Sequence, residues 1–164
     1  MDIFMNIYDF KVLSIDGKVI SLEDYRDRVL LIVNVASECK FTAQYKDLQE
    51  LHSKYNKFGL SILAFPSNQF LSQEPKENCD IKEFSKSSFA VEFDMFSKVE
   101  VNGKNTNPIY KYIKNEARGV FGSTAIKWNF TKFLIDKDGK VLKRYSPSTN
   151  PKDLEEKIKI LLGI

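Results

Sequence analysis

Residues 29–66 read VLLIVNVASECKFTAQYKDLQELHSKYNKFGLSILAFP, and the change of period inside this stretch decides the fold. Residues 29–33 are continuously apolar, rich in β-branched side chains and too short for a helix. They predict a strand buried on both faces. After Cys39 the rhythm changes: Phe41, Tyr45, Leu48, Leu51, His52 and Tyr55 recur at three- and four-residue steps, the stripe of an amphipathic helix. Gly59 stops that helix, and residues 60–65 predict a second buried strand ended by Pro66. Strand, helix and strand in that order imply a parallel pair joined by a right-handed crossover.

Upstream, Asp16-Gly17 between short apolar runs predicts a hairpin within residues 10–21. Downstream, helical patterns cover 79–86 and 108–114. Residues 130–135 and 140–145 flank Asp136-Lys-Asp-Gly139, a second hairpin. Asn150-Pro151 opens a last helix, with Asn as N-cap, Pro in the first turn and Asp153 and Glu155 at the positive end of the dipole. The sum is an α/β chain with a mixed central sheet and helices on both faces, the pattern of a thioredoxin-like fold.

At 164 residues, with no linker or internal repeat, the chain is expected to be one domain over residues 1–164. A composition of 43% hydrophobic and 29% charged residues excludes the disordered and collagenous classes. The net charge of +3 is too small to suggest nucleic-acid binding. No run of about 18 apolar residues predicts a membrane span. The opening Met1-Asp-Ile-Phe-Met-Asn6 lacks the basic and apolar regions of a secretory signal. Two cysteines and one histidine provide neither a disulfide framework nor a metal cluster, so no metal or cofactor is expected. Such cysteine usage fits a reducing, cytoplasmic setting.

Cys39 falls between the end of a buried strand and a helix, where unpaired N–H groups and the helix dipole favour an anion. A thiolate so placed can attack a peroxide O–O bond and become a sulfenic acid. On position alone, a buried structural cysteine is an equal reading. Attack on peroxide also needs donors that orient the thiolate and stabilise the leaving oxygen. Trp128, Asn129, Gln69 and Gln73 are such donors. The loop carrying Gln73 shares the carboxyl rim of the parallel strands with Cys39, where sites in open α/β sheets usually lie. Spacing does not tell whether Trp128 and Asn129 reach it.

Three motifs carry a resemblance: Asn34-Val-Ala-Ser-Glu-Cys39 with Thr42, Phe65-Pro-Ser-Asn-Gln-Phe70 with Gln73-Glu-Pro75, and Trp128-Asn-Phe130. With Phe93-Asp-Met-Phe-Ser-Lys98 and Phe133-Leu-Ile-Asp136, they make the chain resemble the glutathione peroxidase family, in its cysteine-bearing, phospholipid-hydroperoxide branch. The likeness runs from about Ile7 to the last helix. It implies a thioredoxin fold and a catalytic tetrad: Cys39 as the peroxidatic residue, where some relatives carry selenocysteine, with Gln73, Trp128 and Asn129 as donors around it.

Three departures stand out. Lys40, Ser67 and Leu71 occupy positions where the family usually has glycine, cysteine and glycine. Thioredoxin-dependent relatives carry a resolving cysteine at the position of Lys86; here the candidate is Cys79, seven residues earlier. A Cys39–Cys79 disulfide would need a rearrangement, for which the polar stretch 72–80 is the natural place.

The resemblance therefore implies reduction of hydrogen peroxide and organic or lipid hydroperoxides, with thioredoxin or glutathione restoring the thiol. The alternative is a peroxide sensor that relays oxidation to a partner protein through a mixed disulfide. Family tetramers carry an insertion that the short stretch 113–128 lacks, which implies a monomer with an open site face. Lys127, Lys132, Lys143 and Arg144 form a basic group able to attract glutathione carboxylates or make transient contact with acidic lipid headgroups. His52 at the helix edge, and Tyr110, Tyr112 and Tyr145, read as packing residues.

Overall fold

The computed structural model describes residues 5–164; residues 1–4, which open the segment read as carrying no secretory signal, lie outside it. The sequence builds a small hairpin, β1 (Lys11–Leu13) and β2 (Val19–Ser21), and a five-stranded sheet. The sheet strands are β3 (Val29–Val35), β4 (Leu60–Pro66), β5 (Asp94–Met95), β6 (Lys132–Ile135) and β7 (Val141–Tyr145), in spatial order β5-β4-β3-β6-β7. β3 and β4 are parallel, as the crossover requires, and β6 runs antiparallel to β3. The fold is thioredoxin-like, with a mixed central sheet.

Alternation along the buried strands sorts side chains to two faces. Leu30, Ile32, Leu63, Phe65, Phe133 and Ile135 pack with Ile109, Tyr110 and Ile113 of α3 (Pro108–Glu116) and with the hairpin's Val12. Leu31, Val33, Ile62, Ala64 and Leu134 pack with Tyr45, Leu48 and Leu51 of α1 (Gln44–Tyr55) and Ile158 of α4 (Glu155–Leu162). Phe84 and Phe89 of α2 (Asn78–Phe89) join this second layer. Helices therefore cover both faces. Both predicted hairpins form, and the turn before β7 needs Gly139: at φ 83°, a Cβ there would stand 2.8 Å from the Tyr8 ring.

Three details differ from the sequence reading. β5 is a two-residue edge strand that no periodicity could announce. β6 starts at Lys132, two residues later than the apolar run suggests, because Phe130 has φ 64° and belongs to a turn. The helix after Cys39 starts only at Gln44; tight turns fill the gap, with Thr42 N–H on the Cys39 carbonyl and Gln44 N–H on that of Phe41. Among the described residues no helix is long and apolar enough to cross a membrane.

Candidate active site

Three loops meet at one end of the sheet, and strand direction explains why. β3 and β4 both finish there because they are parallel. β6 runs the other way, so its beginning pairs with the end of β3, Val33 opposite Lys132. The segment carrying Trp128 and Asn129 is thereby delivered to the rim that holds Cys39 and Gln73.

The Cys39 loop is fixed by Thr42, whose Oγ1 accepts the Cys39 N–H at 2.9 Å and donates to the Ala36 carbonyl at 2.8 Å. Cys39 is buried, with 8% of its surface exposed. Its sulfur receives the Phe41 N–H at 3.4 Å, a donor from the turn rather than from the helix, whose first residue lies five positions further on. The Lys40 ammonium lies 5.0 Å from the centre of the Phe41 ring.

Gln73 is held from two sides. Its carbonyl accepts the Glu38 N–H at 3.0 Å, next to Cys39, and its Oε1 accepts the Asn129 Nδ2–H at 2.9 Å. With the oxygen engaged, the Nε2 end of the amide remains as a donor. Leu71 and Ser72, just before it, have φ 53° and 52°. That left-handed conformation suits the glycine usual at position 71, and here an exposed leucine carries it at a cost of about 1–2 kcal/mol.

Asn129 is fully buried, with its Oδ1 unpaired. Trp128 is half-buried, its ring centre 5.8 Å from that of Phe70, and it packs against the same apolar cluster as Cys39. The structure thus gathers Cys39, Gln73, Trp128 and Asn129. Cys79 stands apart: it is exposed, in the first turn of α2, and both cysteines are free thiols. Lys86 lies in the last turn of the same helix.

Sequence reasoning missed a positioning role for Asn34. This fully buried residue of β3 donates from Nδ2 to the Trp128 carbonyl at 3.2 Å. Its Oδ1 accepts the Thr131 N–H at 3.2 Å, and its own carbonyl accepts the Phe130 N–H at 2.6 Å. One side chain thereby locks the Trp128–Asn129 turn to the strand that leads to Cys39. An asparagine inside an otherwise apolar strand was the available signal, since a buried amide needs partners.

The basic group is corrected. Lys132 is fully buried, its Nζ held by the carbonyls of Ser146, Pro147 and Thr149, and burial pushes it down to about 7. Arg144 donates to the carbonyls of Lys114, Ala117, Thr124 and Ala125. Both are internal braces, which leaves Lys127 and Lys143 exposed to meet an anion. His52 is a packing residue, edge-on to Phe93.

Fold and site together define a thioredoxin-like protein with a buried thiol at the carboxyl rim of its sheet. The glutathione peroxidase family model matches residues 7–114. A relative from Bacillus subtilis (strain 168), glutathione peroxidase homolog BsaA, is 53% identical over 96% of this chain and 99% of its own. A probable phospholipid hydroperoxide glutathione peroxidase of Mesembryanthemum crystallinum is 51% identical, over 96% of this chain and 93% of its own. The crystal structure of T. cruzi GPX1 is 39% identical, with a TM-score of 0.80 and 97% of each chain covered. The chain belongs to the glutathione peroxidase family, and its activity is that of a peroxidase.

Proposed function

We propose that this chain, acting as a single monomeric domain, reduces hydrogen peroxide and organic or lipid hydroperoxides through Cys39. The thiolate sulfur attacks one peroxide oxygen and the O–O bond breaks. The other oxygen leaves as water or alcohol with the proton the thiol gave up, and the sulfur becomes a sulfenic acid. Gln73, Trp128 and Asn129 orient the thiolate and steady the departing oxygen. The observation that carries this reading is the Asn129–Gln73 amide bond at 2.9 Å beside the cluster that holds both Cys39 and Trp128.

Two thiol equivalents then restore Cys39 and release water. Either Cys79 displaces the sulfenic oxygen to form a disulfide that thioredoxin opens, or two glutathione molecules act in succession. Two free thiols suit a reducing compartment such as the cytoplasm. The lipid part of the reading draws support from the phospholipid hydroperoxide named for the Mesembryanthemum relative.

The test is peroxide consumption with thioredoxin and its reductase, and with glutathione, in parallel. Cys39→Ser is expected to lose turnover with both. Cys79→Ser is expected to lose only the thioredoxin route; unchanged thioredoxin-dependent turnover would remove Cys79 from the mechanism. Rapid oxidation of Cys39 without turnover from either donor would turn the reading toward a peroxide sensor.

A further inference from the structure

Glu74 follows Gln73 directly, and its side chain is fully buried. The Ser37 hydroxyl donates to Oε2 at 3.0 Å, while Oε1 has no partner. Alongside, the Glu38 N–H donates to the Gln73 carbonyl at 3.0 Å. The segment leading to Cys39 and the segment carrying Gln73 are therefore joined twice, once through main chain and once through the Glu74 carboxyl. Asn68 accepts the Glu74 N–H through its Oδ1 at 3.0 Å, and the Lys98 Nζ donates to the carbonyls of Glu74 and Lys76 at 3.2 and 2.7 Å.

The charged and titratable groups around this carboxyl come from every element packed on it. They are Lys76 on its own loop, Lys98 from the segment after β5 and Tyr45 from α1; the loop after β3 meets the carboxyl through Ser37, two residues before Cys39. Among the described residues no cation forms an ion pair with Glu74, since the Lys98 ammonium is directed at carbonyls. The Tyr45 hydroxyl is buried and unpaired. A buried carboxyl in such a setting is better kept as the neutral acid.

We propose that Glu74 is a positioning residue for the peroxide-reducing step: as the uncharged acid it clasps the Gln73 segment to the Cys39 segment through Ser37 without placing a negative charge on the loop that carries Cys39. The inference rests on Cys39 being the peroxidatic residue. Burial pushes the carboxyl up to about 7, against the opposing pull of Ser37, Lys98 and Lys76. Near neutral pH the acid form is then still well populated. Above that it gives way to a carboxylate, a buried negative charge that the Ser37 contact brings to the loop carrying Cys39.

The experiment uses the full chain with Cys79→Ser, so that Cys39 is the only thiol. Single-turnover oxidation by hydrogen peroxide and alkylation by iodoacetamide are followed from pH 6 to 8.5 in the parent, Glu74→Gln and Glu74→Ala, with Cys39→Ser as control. The amide of Glu74→Gln imitates the neutral acid at every pH. It is expected to match the parent within about twofold at pH 6 and to outpace it at least about threefold at pH 8. Glu74→Ala, which releases the clasp, is expected to oxidise about tenfold more slowly at both. A purely structural glutamate would not change the shape of the pH profile. If Glu74→Gln follows the parent at every pH, or Glu74→Ala reacts as fast as the parent, the positioning role falls and the Cys39 reading stands. If Cys39→Ser still consumes peroxide, the Cys39 reading falls instead, whatever Glu74 does.

Discussion

At the scale of single residues, this site shows how much chemistry depends on what a buried polar group is paired with. The Glu74 carboxyl gives the clearest consequence for stability. Its ordinary value of 4.5 rises to about 7 in the folded chain because burial disfavours the charge. Between those values the native state keeps a proton that the unfolded chain has released, so stability falls as pH rises through the window. The contribution is fully present below about 4.5 and lost above about 7. Glu74→Gln has no proton to lose. Relative to the parent it should gain up to about 3 kcal/mol of unfolding free energy between pH 4.5 and pH 8. Urea unfolding at both pH values measures this, and a difference that stays constant would mean that Glu74 titrates like an exposed carboxylate. Cys39, Gln73, Trp128 and Asn129 could all be singled out as candidates from the sequence because their residue types match the proposed chemistry and the motifs. Asn34 and Glu74 act through partners far along the chain, Trp128 and Thr131 for one and Ser37 for the other, and nothing local in the sequence announces those pairings.

At the scale of elements, the proposed Cys79 route turns on α2, which carries that cysteine. Its N-cap, Glu77, makes no side-chain capping bond, and Cys79 and Asp80 in its first turn are exposed. The first turn is tied down by the Asn78 side chain, which accepts the Lys98 N–H at 3.0 Å, and by the Lys98 ammonium on the preceding carbonyls. An uncapped first turn opens at low cost, on the order of 1 kcal/mol less than a capped one. Hydrogen exchange after one equivalent of peroxide should therefore show residues 80–82, whose first N–H groups bond the Glu77 carbonyl, losing protection while residues 84–89 keep it. The same treatment of Cys79→Ser should leave the whole helix protected. Equal protection in both oxidised proteins would sink the idea that α2 opens to resolve Cys39. Elements with many residues per period, such as β3, α1 and β4, were legible to within a residue or three. β5 was not, because two residues carry no period, and the start of β6 was misplaced because Phe130 is apolar yet turned by a positive φ. The convergence of the third loop on the site depends on β6 being antiparallel to β3, a pairing between residues about a hundred positions apart that spacing does not encode.

At the scale of the whole molecule, the question is how a lipid-borne peroxide would reach the thiol of a residue that is 8% exposed. Val120 and Phe121 form an apolar tip on the loop before Trp128, 72% and 105% exposed, with Phe121 in the left-handed region at φ 55°. Arg118 and Lys127 flank it, braced on the Gly122 carbonyl and the Ser123 hydroxyl. A groove of about 310 Å³ runs from Arg118 and Val120 past Lys127 to Thr131, next to the turn that Asn34 holds. An apolar tip between two cations has the chemistry of an interfacial anchor, in which a ring would enter the acyl boundary while the cations would meet anionic headgroups. Losing the tip should cost about 2 kcal/mol of vesicle affinity, or about thirtyfold in partitioning. The double variant Val120→Ser, Phe121→Ser should therefore lose most of its turnover on phospholipid hydroperoxide in anionic vesicles and keep its turnover on hydrogen peroxide, because neither tip residue is among those the proposed chemistry uses. Raising the salt concentration should weaken the parent on vesicles through Arg118 and Lys127 and leave the soluble substrate untouched. Equal losses on both substrates would mean that the tip holds the Trp128 loop in place, and equal retention would mean that lipid approaches the site from another side.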